Sequence, residues 1–474
     1  IYERLAKKNA DAYEPYLATS YNNAGNFYSD HNHSKEAEKY YLAAIEIQKR
    51  LVEKNADVYE PDLAMSYNNA GVFYSDQGRP EKAKKYYLAA IEIYERLAKK
   101  NADAYEPYLA TSYNNAGNFY SDHNHSKEAE KYYLAAIEIR ERLVGKNADA
   151  YEPDLAMSYN NAGAFYHEQG QPEKAEKYYL AAIEIRERLV EKNADAYEPD
   201  LATSYNNAGI FYKQQGQFQK VEKYYLAAIE IRKRLAEKNA DAYEPDLAGS
   251  YNNAGIFYDD QGQPDKAEKY YLAAIEIRER LVEKNADAYE PDLATSYNNA
   301  GVFYSDQGQP EKAKKYYLAA IEIYERLAKK NADAYEPYLA TSYNNAGNFY
   351  SDHNHSKEAE KYYLAAIEIR ERLVEKNADA YEPDLATSYN NAGIFYKDQG
   401  QPDKAEKYYL AAIGIYERLV KKNAAAYEPD LASICFNYCF LKKDVTYLIK
   451  AYEIAKRRQD DPRCKKIVEF VESM

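Results

Sequence analysis

Apolar side chains in this chain recur at steps of three and four residues, the spacing of one helical face. Between residues 199 and 212, Leu201, Tyr205 and Tyr212 keep that spacing, and a second such stretch runs from residue 220 to residue 238. No stretch alternates apolar and polar residues as a half-buried strand would. The pattern therefore predicts two helices joined by a short turn.

This two-helix pattern returns every 46 residues, and Tyr-Glu-Pro opens each copy, at Tyr13, Tyr59, Tyr105, Tyr151, Tyr197, Tyr243, Tyr289, Tyr335, Tyr381 and Tyr427. A fixed period of this length indicates a solenoid, in which each unit buries its apolar face only against its neighbours. We expect an all-α fold, an α-solenoid of stacked antiparallel helix pairs. Residues 13–426 form nine repeats, residues 1–12 are the end of a truncated preceding repeat, and residues 427–474 hold a degenerate tenth repeat and capping helices.

Glycine and proline fall between the two helices of a copy. Gly216 is placed where a left-handed residue ends the first helix, and Pro172 suits the first turn of the second helix. Three copies have Asp-His-Asn-His-Ser instead, with Asn32, Asn124 and Asn354 at the glycine position. Histidine with carboxylate also suits zinc or nickel. Because the turn is short and no fourth ligand recurs with it, we expect a structural role and no metal.

The spacing resembles the tetratricopeptide repeat, specifically the long-helix form of kinesin light chains and bacterial signalling proteins. In the fifth copy Tyr205 stands at the family's bulky aromatic position, Ala208 and Gly209 at its Leu-Gly pair and Tyr212 at its next tyrosine. The later family positions hold Gly216, Val221, Tyr225 and Ala228. The resemblance implies a right-handed superhelix whose first helices line a concave groove. The family core is about 34 residues, so we expect longer helices and inter-repeat joints here.

Composition narrows the function. The net charge of −14 argues against general binding to nucleic acid or to an anionic membrane, because both need a basic face. No apolar run of 18 residues exists, and the N-terminal sequence does not resemble a signal peptide. Cys435, Cys439 and Cys464 have no framework spacing, which favours free thiols in a reducing cytoplasm. We expect the first two to pack as small apolar groups rather than to bind a ligand.

Some copies are nearly identical. Residues 59–150 reappear as residues 289–380 with three differences, Met65 for Thr295, Arg79 for Gln309 and Gly145 for Glu375. This indicates recent duplication of a block, or a partly designed array. Residues 1–12 also match residues 93–104, so we expect the chain to begin partway through a repeat of a larger parent protein.

No nucleophile with a fixed base and no phosphate-binding loop is present, so catalysis and a cofactor are not expected. The recurring polar feature is Tyr-Asn-Asn, with asparagines at Asn22, Asn23, Asn68, Asn69, Asn114, Asn115, Asn160, Asn161, Asn206, Asn207, Asn252, Asn253, Asn298, Asn299, Asn344, Asn345, Asn390 and Asn391. Asparagine is a mediocre helix former, so its recurrence needs a reason. The resemblance implies that the second Asn grips the backbone of an extended peptide. Alternatively, these amides bridge neighbouring first helices.

An acidic residue follows one turn further along most first helices. Its members are Asp30, Asp76, Asp122, Glu168, Asp260, Asp306, Asp352 and Asp398, interrupted only by Gln214. If these carboxylates face the groove, basic segments are the favoured partners. The alternative is that they form a solvated helix end.

These observations predict a scaffold that binds an extended protein segment in its groove, or the sensing arm of a larger bacterial protein. The second hypothesis is a self-assembling structural protein, because repeats can continue across a chain boundary and form a filament or tube.

Overall fold

The computed structural model describes residues 1–31, 33–459 and 461–474. Of the described residues, 90% are helical and none lies in a strand. The predicted all-α fold is therefore confirmed. The chain divides into two compact units, residues 1–238 and residues 239–474. Each unit is a solenoid of consecutive helix pairs.

The first unit begins with a short helix, α1 (Tyr2–Ala6), followed by five helix pairs. The first helices of these pairs are α2 (Ala10–Asp30), α4 (Ala56–Asp76), α6 (Ala102–Asp122), α8 (Ala148–Glu168) and α10 (Ala194–Gln214). The second helices are α3 (Ser34–Lys54), α5 (Pro80–Lys100), α7 (Ser126–Lys146), α9 (Pro172–Lys192) and α11 (Phe218–Lys238).

The second unit has four helix pairs and a closing group of three helices. The first helices of the pairs are α12 (Ala240–Asp260), α14 (Ala286–Asp306), α16 (Ala332–Asp352) and α18 (Ala378–Asp398). Their second helices are α13 (Pro264–Lys284), α15 (Pro310–Lys330), α17 (Ser356–Lys376) and α19 (Pro402–Lys422). The closing helices are α20 (Ala424–Lys442), α21 (Val445–Arg457) and α22 (Pro462–Glu472).

The first helices are longer than the apolar pattern predicted. Helix α10 covers residues 194–214, whereas the periodicity indicated residues 199–212. The side chain of Asn193 accepts a hydrogen bond from the backbone N–H of Ala196 at 3.3 Å and so begins the helix before the proline. Pro199 is the sixth residue of α10, and its missing N–H removes one backbone hydrogen bond of the helix. In the same way α2 begins at residue 10, before Pro15.

The turns have the predicted backbone. Gly216 ends α10 with φ of +66°, and Asn124 and Asn354 adopt φ of +58° and +60° in the histidine-containing turns. Asn32, the third member of that set, lies outside the described residues. Pro172 is the first residue of α9, as predicted.

The two helices of a pair approach each other closely at one glycine. A Cβ atom on Gly117 of α6 would lie 2.8 Å from the Cδ1 atom of Tyr133 on α7, a separation that real Cβ contacts do not reach. Both residues are buried. The tyrosine ring therefore occupies the space that the missing side chain leaves.

Successive pairs are joined by hydrogen bonds as well as by apolar packing. The hydroxyl of Tyr166 on α8 donates to Oε1 of Glu130 on α7 at 2.8 Å, and Nζ of Lys174 lies 3.1 Å from the same oxygen. The hydrogen bond from Tyr166 holds the pKa of Glu130 below its usual value. The same tyrosine–glutamate bond ties α4, α10, α14 and α18 to the second helices that precede them.

After α20 the chain forms two shorter helices, α21 over residues 445–457 and α22 over residues 462–472. Cys435 and Cys439 are buried in α20, and burial raises the pKa of the Cys435 thiol to about 12. Packing is therefore the role that the structure gives these two thiols, as expected.

Candidate functional site

The paired asparagines lie in the middle of the first helices and differ in exposure. The first Asn of several pairs is buried: Asn22 and Asn114 retain only 2% and 3% of their accessible surface. The second Asn is more open, since Asn115 is half-buried and Asn23 is exposed. The second asparagine therefore lies nearer the surface of the stack.

Neighbouring first helices are linked through these amides. In the first unit Nδ2 of Asn115 donates to Oδ1 of Asn68 at 3.4 Å, and Nδ2 of Asn207 donates to Oδ1 of Asn160 at 3.4 Å. We call this series of bonds the Asn ladder. In the second unit it joins Asn299 to Asn252 (3.1 Å), Asn345 to Asn298 (3.4 Å) and Asn391 to Asn344 (3.2 Å).

The ladder confirms that the asparagines bridge first helices. An asparagine amide has two N–H donors and one carbonyl acceptor, and a ladder bond uses one donor of the second Asn. Among the described residues, the side-chain oxygens of Asn22 and Asn390 are buried without a hydrogen-bond partner. The bridging role and a binding role are therefore chemically compatible.

The predicted acidic residues stand at the ends of the first helices, and several lie close to one another. Partial burial raises the pKa of Asp76, and the negative charge of Asp122 in the next repeat raises it further. Asp352 has the same effect on the pKa of Asp306 in the second unit. Glu168 and Asp260 are exposed at the ends of α8 and α12. Successive first helices thus place carboxylates side by side.

A cleft of about 300 Å³ lies between α6, α7 and α8. It brings together three residues that the sequence singled out, Asn161, Asp122 and Glu168. Within it, the Ser121 hydroxyl donates to Oε2 of Glu168 at 3.4 Å. The sequence reasoning missed the other lining residues, which are Asn118, Ser121, Tyr133, Ala164 and Phe165.

A signal in the sequence could have found this surface. Most first-helix positions are identical in all nine repeats, but the residue three after the second Asn varies and is never fully buried: Asn26, Val72, Asn118, Ala164, Ile210, Ile256, Val302, Asn348 and Ile394. The residue four before the second Asn also varies: Thr19, Met65, Thr111, Met157, Thr203, Gly249, Thr295, Thr341 and Thr387. Steps of three and four put both positions on the face of the second Asn.

In the histidine-containing turns, the first histidine of two copies contacts the phenylalanine four residues before it. Nδ1 of His123 lies 2.8 Å from the carbonyl oxygen of Phe119, and its ring packs on the Phe119 ring. His353 makes the same contacts with Phe349. In the described part of the chain, no group of three or more His, Cys, Asp or Glu side chains could hold a metal ion.

Family models of the tetratricopeptide repeat match most of the chain. One model matches residues 62–142, 154–234, 200–280, 246–326 and 292–372, and another matches residues 17–55 and 385–423. The chain belongs to the tetratricopeptide repeat family. Its 21-residue helices are the long form of this repeat that the resemblance led us to expect.

The chain is similar to solved structures of other proteins. The apo form of RapI is 19% identical, with a TM-score of 0.53 over 86% of this chain and 99% of that one. BtubC (BKLC) from P. vanneervenii is 26% identical, with a TM-score of 0.44 over 53% of this chain and 92% of that one. No curated protein matches the chain significantly in sequence. None of the described helices combines the length and apolar character needed to cross a membrane.

Proposed function

We propose that this tetratricopeptide repeat protein is a scaffold that binds an extended, basic segment of another protein along its first helices. The tetratricopeptide fold is typical of protein–protein interaction. In this proposal the second asparagines bind the backbone of the segment, and the carboxylates at the helix ends bind its cationic side chains.

The Asn ladder carries the proposal. Its bonds join α6 to α4 and α10 to α8 in the first unit and three successive pairs of first helices in the second unit, and the second asparagine occupies the same position in every first helix. An amide can donate to one peptide carbonyl and accept from one peptide N–H. Each such bond contributes about 1 kcal/mol net, so a row of them favours a long, extended ligand over a compact one.

Charge supports a basic ligand. The carboxylates of Asp122 and Glu168 line one cleft together with Asn161, and no lysine or arginine lines it. Burial is the main reason that the pKa of Asp76 is raised, and the negative charge of Asp122 raises it further, because like charges close to one another repel. A lysine or arginine side chain in the cleft would be attracted by its two carboxylates.

The variation between repeats also supports this face. Most residues of the first helices are identical in all nine repeats, whereas the residue three after the second Asn changes, from Asn118 in one repeat to Ile210 in another. An invariant amide suits binding to the backbone of a ligand, which is the same at every residue. The variable residues beside it suit contacts with the ligand's side chains, which differ from residue to residue.

A titration with designed peptides tests the proposal. First helices pack about 8 to 10 Å apart, so the five in one unit span room for about 12 residues of extended chain. The probe is an unstructured peptide of about that length with alternating lysine and serine, and its control replaces every lysine with glutamate. We expect saturable binding of the lysine peptide that weakens with salt, and no binding of the glutamate peptide.

The proposal is contradicted if both peptides bind equally or if neither binds. Light scattering of the chain without peptide tests the second hypothesis, since a particle mass that keeps growing would favour self-assembly.

A further inference from the structure

Neighbouring repeats meet through two kinds of residue pair, which we call junction pairs. In the Tyr-type junction, Tyr94 of α5 stacks on Tyr108 of α6, with ring centroids 5.8 Å apart and ring planes inclined by 13°. Tyr324 and Tyr338 repeat this arrangement in the second unit, at 5.8 Å and 11°. The first tyrosine of each pair is buried, and the second is about half exposed.

In the Arg-type junction the same two positions hold arginine and aspartate. Nη1 of the buried Arg186 donates to the backbone carbonyl of Asp200 at 3.0 Å and to Oγ of Ser204. The Asp200 carboxylate favours the charged form of this arginine, which burial disfavours. The backbone bond recurs from Arg140 to Asp154 (2.9 Å), from Arg278 to Asp292 (2.9 Å) and from Arg370 to Asp384 (3.0 Å).

A second pair of positions changes together with the first. Beside the Arg-type junction between α9 and α10, Nζ of Lys220 on the next second helix, α11, lies 2.9 Å from Oε1 of Glu176 on α9. At the Tyr-type junction between α5 and α6, the equivalent residues are Glu128 and Lys84, so the two charges are exchanged. Glu358 and Lys314 show the same exchange in the second unit. The two junction types therefore differ in both shape and charge.

Two junctions have an aspartate at the position of Asp200 but no arginine at the position of Arg186. Where Tyr416 precedes Asp430, Arg463 of the closing helix α22 binds the aspartate and supplies the missing cation. Where Gln48 precedes an aspartate, Oε1 of Gln48 and Oγ of Ser66 have no hydrogen-bond partner among the described residues. Wherever the sequence has arginine at the position of Arg186, the next first helix has aspartate, and never tyrosine, at the position of Asp200.

We infer that the junction pairs determine which repeat can stack on which. A second helix with Tyr and Lys fits a following repeat with Tyr on its first helix and Glu on its second helix. A second helix with Arg and Glu fits a following repeat with Asp on its first helix and Lys on its second helix. A chain of nearly identical repeats needs such selectivity, because wrong pairing and exchange between chains are the typical errors of repeat proteins. The partner that each face recognises is thus a repeat of the matching type, in the same chain or in a second copy.

An exchange of junction type tests this inference on the full chain. We compare Arg186→Tyr, Asp200→Tyr and the double variant, which places the tyrosine pair of a Tyr-type junction at this site and leaves the ion pair of Glu176 and Lys220 unchanged. The site is well matched, because Met157 stands in the same relation to Arg186 as Met65 does to Tyr94. We expect each single variant to unfold at lower urea concentration than the wild type, and the double variant to unfold later than either.

Hydrogen exchange locates the effect. Amides of α9 and α10 should exchange at least about tenfold faster in the single variants and return towards the wild-type rate in the double variant. If the single variants fail to fold and the double variant folds, the inference is supported. The inference is contradicted if the losses in unfolding free energy of the two single variants add up in the double variant. It is also contradicted if the double variant is no more stable than the less stable of the two single variants.

Discussion

The side chain of Asn207 donates a hydrogen bond to Oδ1 of Asn160 on the neighbouring first helix, across 3.4 Å. This bond settles the orientation of one donor of the second asparagine and ties two repeats together. It also explains why asparagine is tolerated in the middle of a helix, since the amide that would compete with the backbone has a partner elsewhere. The remaining donor and the carbonyl oxygen define what a ligand would meet.

Replacing Gly117 with alanine should destabilise the first unit. The new Cβ would lie 2.8 Å from the Tyr133 ring, so either the ring or the helix must move. We expect a loss of about 1 to 3 kcal/mol in urea denaturation followed by circular dichroism. Gly145→Ala in the adjacent helix is the matched control, because no described atom lies within 4 Å of its new Cβ. That variant should gain about 0.5 to 1 kcal/mol, and equal effects of the two would contradict the packing argument.

Removing the amide of Asn193 should loosen the start of α10. Its side chain caps the backbone N–H of Ala196, and loss of such a cap costs about 1 kcal/mol. Asn55 occupies the same place before α4, yet in the described structure its side chain makes no such bond. Asn193→Ala should therefore accelerate hydrogen exchange in the first turn of α10 more than Asn55→Ala does in α4. The reverse order would show that the cap is not the cause.

The contact between Arg79 and Glu38 should make stability depend on acid pH. Nη1 of Arg79 lies 2.7 Å from Oε2 of Glu38, and this hydrogen bond is the main reason that the pKa of Glu38 falls to about 2 from its usual 4.5. A carboxyl whose folded pKa is depressed stabilises the fold above its unfolded pKa, and that contribution is lost as the pH falls towards the folded value.

Arg79→Gln gives the test, and Gln309 occupies the equivalent position in a nearly identical repeat. The wild type should exceed the variant in urea midpoint above pH 4.5, and the difference should shrink between pH 4.5 and about pH 2. A difference that stays constant over this range would mean that Arg79 acts through packing rather than through the Glu38 charge.

The sequence was sufficient to predict the helix pairs because the same apolar spacing returns in every repeat. It also located the turns, since Gly216 and Asn124 adopt the positive φ expected of them. It underestimated the first helices because Pro199 suggests a helix start, whereas the capping amide of Asn193 begins the helix five residues earlier. Capping is a matter of side-chain geometry, which periodicity does not contain.

The candidate site was only partly predictable. The second Asn recurs in every repeat and an acidic residue ends all but one of the first helices, which drew attention to Asn161 and Asp122, and the structure brings both into one cleft. Asn118 and Ala164 escaped notice because they do not recur, although they line the same cleft. Their contribution depends on how neighbouring helices stack, and that becomes visible only when the positions of different repeats are superimposed. Whether these residues bind a ligand remains a prediction.

The dissociation constant of the lysine–serine peptide, measured for two triple variants, shows whether the second asparagines bind the ligand. The first variant, Asn115→Ala, Asn161→Ala and Asn207→Ala, removes the second asparagine from three successive helices. The second, Asn68→Ala, Asn114→Ala and Asn160→Ala, removes three first asparagines and serves as the control. If the second asparagines hold the ligand backbone, the first variant should lose about 2 to 4 kcal/mol of binding free energy, roughly 30-fold to 1000-fold in affinity. The control should bind nearly as the wild type does per folded molecule. Unchanged affinity in a folded first variant would show that the Asn ladder only ties helices together and takes no part in binding.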